Sequence, residues 1–214
     1  MTENFLKRLR EAVLNYDVER AVEVSKEVIE AGFDPLTAIE QGLGEGLTIV
    51  GGKFAAGELF LPELMIAAEA MKKSLAILEP ALAKGTSRKV LGKVVIGTVE
   101  GDIHDIGKTI VAAMLTANGF EVYDVGCDTP TSKFVEKVEE VSADTVGMSA
   151  LLTTTMVKMV EVINALKKAG LRGKVKVIVG GAPVSEAWAK EIGADAYAED
   201  AVAAVNVAKK LLGK

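Results

Sequence analysis

The sequence predicts two structural classes in tandem, a helical bundle followed by an open α/β domain built on a parallel sheet. Three observations predict it. Apolar residues recur at helical spacing up to about residue 88, strand-like and helical runs alternate from Lys93 onward, and a small, polar, basic stretch separates the two halves.

The first helix is marked by Phe5, Leu6, Leu9 and Val13, and the second by Val18, Ala21, Val22, Val28 and Ile29. Glu19, Arg20, Glu23, Lys26, Glu27 and Glu30 form the solvated face of the second. Gly32 can end that helix, and Asp34-Pro35 can open the third as N-cap and first helical residue. The third carries Ile39, Leu43, Leu47 and Val50, with the glycines at 51, 52 and 57 interrupting it. Leu61-Pro62 opens a fourth, with Leu64, Met65, Ala68, Met71, Leu75 and Leu78 on one face and an end near Pro80. Four amphipathic helices with short links make a small bundle. The segment Ala83-Lys84-Gly85-Thr86-Ser87-Arg88-Lys89 reads as a linker, so the expected domains are 1–88 and 89–214.

Beyond the linker, strand-like runs fall at 94–99, 121–125, 144–148, 175–179 and more weakly at 195–197. Helical runs fall near 106–118, 131–141, 154–169, 185–191 and 200–212. Such alternation implies five parallel strands covered on both faces. The expected class is therefore α + α/β, a four-helix bundle followed by a flavodoxin-like (Rossmann-type) doubly wound sheet of order 2-1-3-4-5. In that order strands 1 and 3 flank the topological switch point, where ligands enter.

Composition narrows the function. The 214 residues suffice for one or two domains, and the net charge of −5 offers no broad basic surface for nucleic acid or an anionic membrane. No apolar run approaches the roughly 20 residues of a membrane span, and Met1–Arg8 reads as an amphipathic helix start rather than a secretory core. A single cysteine, Cys127, fits a reducing cytosol, so a cytoplasmic location is expected. One histidine and one cysteine cannot supply the usual ligands of zinc. Met65, Met71, Met148, Met156 and Met159 are expected to fill the core.

The only histidine, His104, stands in Gly101-Asp102-Ile103-His104-Asp105-Ile106-Gly107, between the first strand and its helix. Asp102 can accept a hydrogen bond from one ring nitrogen, an arrangement that orients an imidazole for metal ligation at the other. Ser149 follows the third strand and Gly180-Gly181 the fourth, so all three gather at strand ends beside the switch point. Each also has a plainer explanation. Asp102 is a good helix N-cap, Ser149 and Thr155 could cap the next helix, Gly180-Gly181 suits a tight turn, and Phe54 and Leu61 suit a bundle core.

Together these pieces are recognisable. Asp102-x-His104-x-x-Gly107, 41 residues, Ser149-x-Leu151, 28 residues and Gly180-Gly181 resemble the signature of cobalamin-binding domains that hold the cofactor base-off and His-on. In the helical half, Gly52-Lys53-Phe54-Ala55-Ala56-Gly57-Glu58-Leu59-Phe60-Leu61-Pro62-Glu63-Leu64 resembles the cap region of methionine synthase and of corrinoid methyltransferase proteins. Nearly the whole chain thus resembles a corrinoid protein of the methanol, methylamine or methoxyaromatic type, used by methanogens and acetogens.

The resemblance implies a non-catalytic methyl carrier. Cobalamin or a related corrinoid would cycle between methyl-Co(III) and Co(I), loaded by a substrate-specific methyltransferase and unloaded by a second one acting on coenzyme M or tetrahydrofolate. A reductive activator would serve as a further partner. His104 would be the lower axial ligand of cobalt, and Asp102 would share its proton. Thr155 stands where methionine synthase extends the relay with a serine. Gly107, Ser149, Leu151, Thr153, Gly180 and Gly181 would line the cofactor site, with Ser149 and the glycine pair along the nucleotide tail. Phe54 and Leu61 would shield the upper corrin face, with residues 85–92 as a hinge. The rivals are the cobalamin subunit of a carbon-skeleton mutase, a cobalamin-dependent sensor or regulator, and a cobalt-free receiver-like module. The chain's own Phe54/Leu61 bundle argues against the first, and the lack of a basic recognition helix against the second. Accidental matches in three motif segments would be needed for the third.

Overall fold

The computed structural model describes residues 2–82 and 90–214, so the expected linker and most of the expected hinge lie outside the described residues. The chain divides into two compact units, a helical one drawn from Met1–Lys89 and an α/β one drawn mostly from Val90–Lys214.

In the helical unit, α1 (Thr2–Leu14) and α2 (Val18–Glu30) are joined by a tight turn. Asp17 caps α2 by accepting from the Arg20 N–H. Asp34 caps α3 (Pro35–Thr37) in the same way, with Pro35 in the first turn as expected. From there the chain stays helical through a π segment (Ala38–Gly44) and α4 (Glu45–Ala55), so Gly51 and Gly52 lie inside the helix rather than interrupting it; Gly57, at φ 76°, ends it. The internal glycines permit close approach. A Cβ on Gly42 would lie 3.0 Å from Leu9 Cβ, and one on Gly46 would lie 3.1 Å from Val13 Cβ, so α1 packs directly against this backbone. The last long helix, α5 (Leu61–Leu78), buries Leu64, Ala67, Ala70, Met71, Ser74 and Leu78. Met65 falls outside that stripe and is exposed, which corrects its expected place in the core.

The α/β unit follows the predicted alternation within about three residues. Its elements are β1 (Lys93–Thr98), α6 (Ile106–Ala117), β2 (Glu121–Asp124), α7 (Thr131–Val141), β3 (Thr145–Ser149), α8 (Val157–Lys168), β4 (Lys176–Gly180), α9 (Glu186–Ile192), β5 (Ala196–Ala198) and α10 (Ala201–Leu211). The strands form one parallel sheet of order β2-β1-β3-β4-β5. Right-handed crossovers then place α6 and α7 on opposite faces, because the chain moves one way from β1 to β2 and the other way from β2 to β3. On one face Val95, Val99, Val146, Met148, Val177 and Val179 pack with Phe134, Met159, Ile163 and Leu166 into a closed core. The opposite face presents the rungs Ile96–Gly147–Ile178 and Thr98–Ser149–Gly180. Interior strands of such a sheet are normally sealed on both faces, yet Gly147, Ser149 and Gly180 remain half-buried. The C-terminal end of this face is thus made of small, partly exposed residues.

Candidate functional site

The loop between β1 and α6 is built to hold one carboxylate. After Thr98 the chain turns through Gly101 at φ 83°, and the Asp102 N–H donates to the Val99 carbonyl at 3.1 Å. The Thr98 hydroxyl donates to the His104 carbonyl at 2.9 Å, drawing the far end of the loop back to the strand. Asp102 is fully buried. An unpaired charge there would be costly, and five donors surround it. The His104 N–H (3.1 Å) and ring Nδ1 (2.7 Å) meet Oδ1. The Leu151 N–H (2.6 Å), Leu152 N–H (3.3 Å) and Thr155 hydroxyl (2.9 Å) meet Oδ2. Burial pushes this carboxyl up, but the Leu151 N–H, the His104 ring and N–H and the Thr155 hydroxyl together hold it well below the usual carboxylate range.

A carboxylate on Nδ1 fixes the tautomer: Nδ1 carries the proton and Nε2 keeps its lone pair. The His104 side chain is 49% exposed. Ile103, Leu151 and Leu152 from the two loops and Ile106 at the start of α6 are exposed apolar side chains. Large apolar groups in water beside an oriented imidazole mark a surface made for a ligand. A lone imidazole is a donor set for a metal whose remaining ligands arrive with its cofactor, and among the described residues no cluster of three His, Cys, Asp or Glu could hold a bare ion.

The other expected site residues divide clearly. Thr155 caps no helix; it joins the Asp102 cluster, and α8 starts at Val157, later than expected, because residues 151–155 wrap the carboxylate. Leu151 contributes through its backbone N–H. Thr153 is exposed and lies outside this hydrogen-bonded cluster. Ser149 makes no side-chain hydrogen bond among the described residues and lies half-buried at the end of β3, beside Thr98. Gly107, in the first turn of α6, has open space where a Cβ would stand. Gly180 and Gly181 have a local reason for being glycine: a Cβ would fall 2.8 Å from the Ala198 carbonyl oxygen in the first case and 1.9 Å from that of Ala150 in the second. In the helical unit, Phe54 lies in the last turn of α4 and Leu61 starts α5, both half-buried, while the adjacent Phe60 is 79% exposed. Sequence reasoning missed Gly147 and also Asp128, whose side chain and main chain meet the Gly101–Asp102 segment. Gly147 signals itself only as a glycine inside a buried strand.

Fold and site together define an α/β ligand-binding protein that presents an oriented imidazole at the switch point of its sheet. Two B12 binding domain models match the chain, one over residues 92–206 and one over 5–79. A corrinoid protein of Desulfitobacterium hafniense (strain Y51) is 49% identical over the full length of both chains. Dimethylamine corrinoid protein 2 of Methanosarcina acetivorans is 51% identical over 98% of this chain and 97% of its own. Among solved structures, the methanol:cobalamin methyltransferase complex of Methanosarcina barkeri superposes with a TM-score of 0.88 at 31% identity, over 98% of this chain and 80% of that one. The chain belongs to the B12-binding corrinoid proteins of methyltransferase systems. No helix among the described residues is long and apolar enough to cross a membrane.

Proposed function

We propose that this chain is a methyl carrier that holds its corrinoid base-off and His-on and shuttles a methyl group between two methyltransferases. The observation that carries this reading is the Asp102–His104 pair at the switch point, with Nδ1 engaged at 2.7 Å and the imidazole half exposed. When bound, the corrinoid supplies a cobalt centre that takes up and releases the methyl group.

The chain's own residues would do the rest. His104 Nε2 would be the protein's ligand to the cobalt. Asp102 keeps the proton on Nδ1 and lets the ring gain or lose donor strength as that proton shifts toward the carboxylate, and Thr155 stabilises the carboxylate when it is charged. Ser149, Gly180 and Gly181, with Gly147 beneath them, border the nucleotide tail. Gly107, Leu151 and Thr153 lie at the rim of the site. Phe54 and Leu61 would shield the corrinoid from water and oxidants. The expected domains, 1–88 and 89–214, would correspond to cap and cofactor holder. Loading falls to a substrate-specific methyltransferase. Unloading would fall to one acting on coenzyme M or tetrahydrofolate, with a reductive activator as a further partner.

The test is a titration of the apoprotein with hydroxocobalamin, followed by absorbance and, after reduction, by EPR, beside His104→Ala. Stoichiometric binding with a cobalt(II) signal split by one imidazole nitrogen, lost in the variant, supports the carrier. Absence of binding would sink it. Relatives named as dimethylamine and trimethylamine corrinoid proteins make methylamine methyltransferases the first partners to try in reconstitution, with methanol as the comparison.

A further inference from the structure

We propose that Asp128, in the loop after β2, is a positioning residue that grips the Gly101–Asp102 segment from two sides and so fixes the direction in which His104 presents its free nitrogen. The proposal rests on the reading that His104 ligates the cofactor, and it deepens that site with a residue outside the sequence signature.

Asp128 adopts the left-handed conformation, with φ 47°. That region is uncommon for a residue with a side chain, and Asp is among the few that tolerate it. Such conformations persist where neighbouring contacts over-determine them, and here they do. The Asp128 N–H donates to the Asp102 carbonyl at 2.8 Å, while Asp128 Oδ1 accepts from the Gly101 N–H at 2.7 Å. One residue thereby satisfies the donor just before Asp102 and its carbonyl just after the Cα. Next to it, the Thr129 N–H donates to the Thr98 carbonyl at 3.1 Å, and Val99 and Thr129 form an isolated parallel bridge. Thr98 in turn bonds the His104 carbonyl.

The consequence is geometric. The Asp102 main chain is held from the β2 side, and its carboxylate is held from the β3 side by Leu151, Leu152 and Thr155. An aspartate anchored at both ends cannot swing, so the imidazole bonded to it has one direction available. Asp128 itself is exposed, so burial does not demand a carboxylate there; its observed partners are both main-chain groups of the ligand loop.

The experiment uses the full chain with two variants. Asp128→Gly keeps the left-handed backbone and removes the carboxylate. Asp128→Asn keeps an acceptor oxygen and removes the charge. Two readouts are taken. Nitrogen-15 NMR of the apoprotein follows the ring protons of His104, unambiguous because it is the only histidine. EPR of the hydroxocobalamin-loaded, reduced protein follows the fraction of cobalt(II) bearing the imidazole splitting. The expected result is that Asp128→Gly speeds exchange of the Nδ1 proton and lowers the ratio of imidazole-bound to unbound cobalt(II), each about fivefold, the scale of one lost hydrogen bond, while Asp128→Asn restores both. Wild-type values in Asp128→Gly overturn the proposal, as does equal loss in Asp128→Asn. If the wild type shows no imidazole splitting at all, the carrier reading fails, and the NMR comparison still decides whether Asp128 orients the ring. Should Asp128→Gly fail to fold, amide exchange of Gly101 must be slowed in both the wild type and Asp128→Asn; rapid exchange in either overturns the clamp.

Discussion

The Thr155 hydroxyl donates to Asp102 Oδ2 at 2.9 Å across 53 positions of sequence, leaving Oδ1 to the His104 ring. The same hydroxyl lies 2.9 Å from the Leu152 carbonyl. With one proton and two acceptors, the ionised carboxylate is the stronger claimant. Thr155 therefore couples the loop after β3 to the loop after β1, the two strands that flank the switch point.

That coupling makes the hydroxyl, rather than the shape of the side chain, the important feature. Thr155→Val keeps the volume and removes the donor, and it should cost about 1.5–3 kcal/mol, the range for hydrogen bonds to charged groups. Thr155→Ser keeps the donor and should cost less than about 1 kcal/mol, the worth of one buried methyl. Urea unfolding of the two apoproteins checks the order; a larger loss in Thr155→Ser than in Thr155→Val would show that the methyl, not the hydroxyl, matters.

Asp102 gives the site a pH signature. Its folded-state carboxyl is held below its unfolded value, so its contribution to stability is complete above the unfolded value of about 3.9 and is lost as pH falls through the folded one. Between about pH 5 and the acid limit the wild type should therefore lose stability with a slope that Asp102→Asn lacks. At pH 7 the variant should already be weaker by about 2–3 kcal/mol, because an amide cannot accept from donors on all sides. Denaturant midpoints of both proteins across that range check the difference, which cancels the contribution of the other carboxylates. Parallel pH profiles would remove Asp102 as the source.

Most of the architecture was legible because it is periodic. The change from helical to alternating runs located every strand to within a residue, and the expected doubly wound order 2-1-3-4-5 is the one observed. What escaped is local and aperiodic. Gly51 and Gly52 looked like breaks, but the helix runs through them. The start of α8 is delayed because Leu151, Leu152 and Thr155 are committed to a carboxylate 49 to 53 positions away, and no hydrophobic period encodes that. Asp128 and Lys108 carry no signal in the sequence for the same reason. Their partners are set by which loops the sheet brings together.

Lys108 is the second such case. It lies in the first turns of α6 with only 3% of its side chain exposed, and it pairs with Asp124 at the end of β2, itself 38% exposed. The two ends of the pair should therefore respond unequally. Asp124→Asn strands a buried ammonium and should cost about 3–5 kcal/mol, as removal of one partner of a buried pair does. Lys108→Met leaves a carboxylate that water reaches and the Gly126 N–H still bonds at 2.8 Å, so it should cost roughly 1 kcal/mol or less. Chemical denaturation of the two single variants measures the asymmetry. Equal losses would mean that the buried ammonium is not the more costly end of the pair to leave without its partner.

The glycines separate structural need from ligand need. At Gly181 a Cβ would sit 1.9 Å from a carbonyl oxygen on a backbone at φ 116°, so Gly181→Ala combines backbone strain with overpacking and should cost about 2–5 kcal/mol. Gly107 differs in both respects. Its backbone is not in the left-handed region, and the space its Cβ would occupy is open. Replacing a helical glycine by alanine normally stabilises by about 0.5–1 kcal/mol, so Gly107→Ala should give an apoprotein at least as stable as the wild type. If the open space belongs to the corrinoid, that same variant should bind hydroxocobalamin at least about tenfold more weakly, a loss of about 1.4 kcal/mol. Thermal melts of the apoprotein and equilibrium titrations with hydroxocobalamin, made on one preparation, read the two effects separately. A more stable apoprotein with unchanged affinity would remove Gly107 from the site, while weaker binding by an undamaged fold would identify a glycine kept for the cofactor alone.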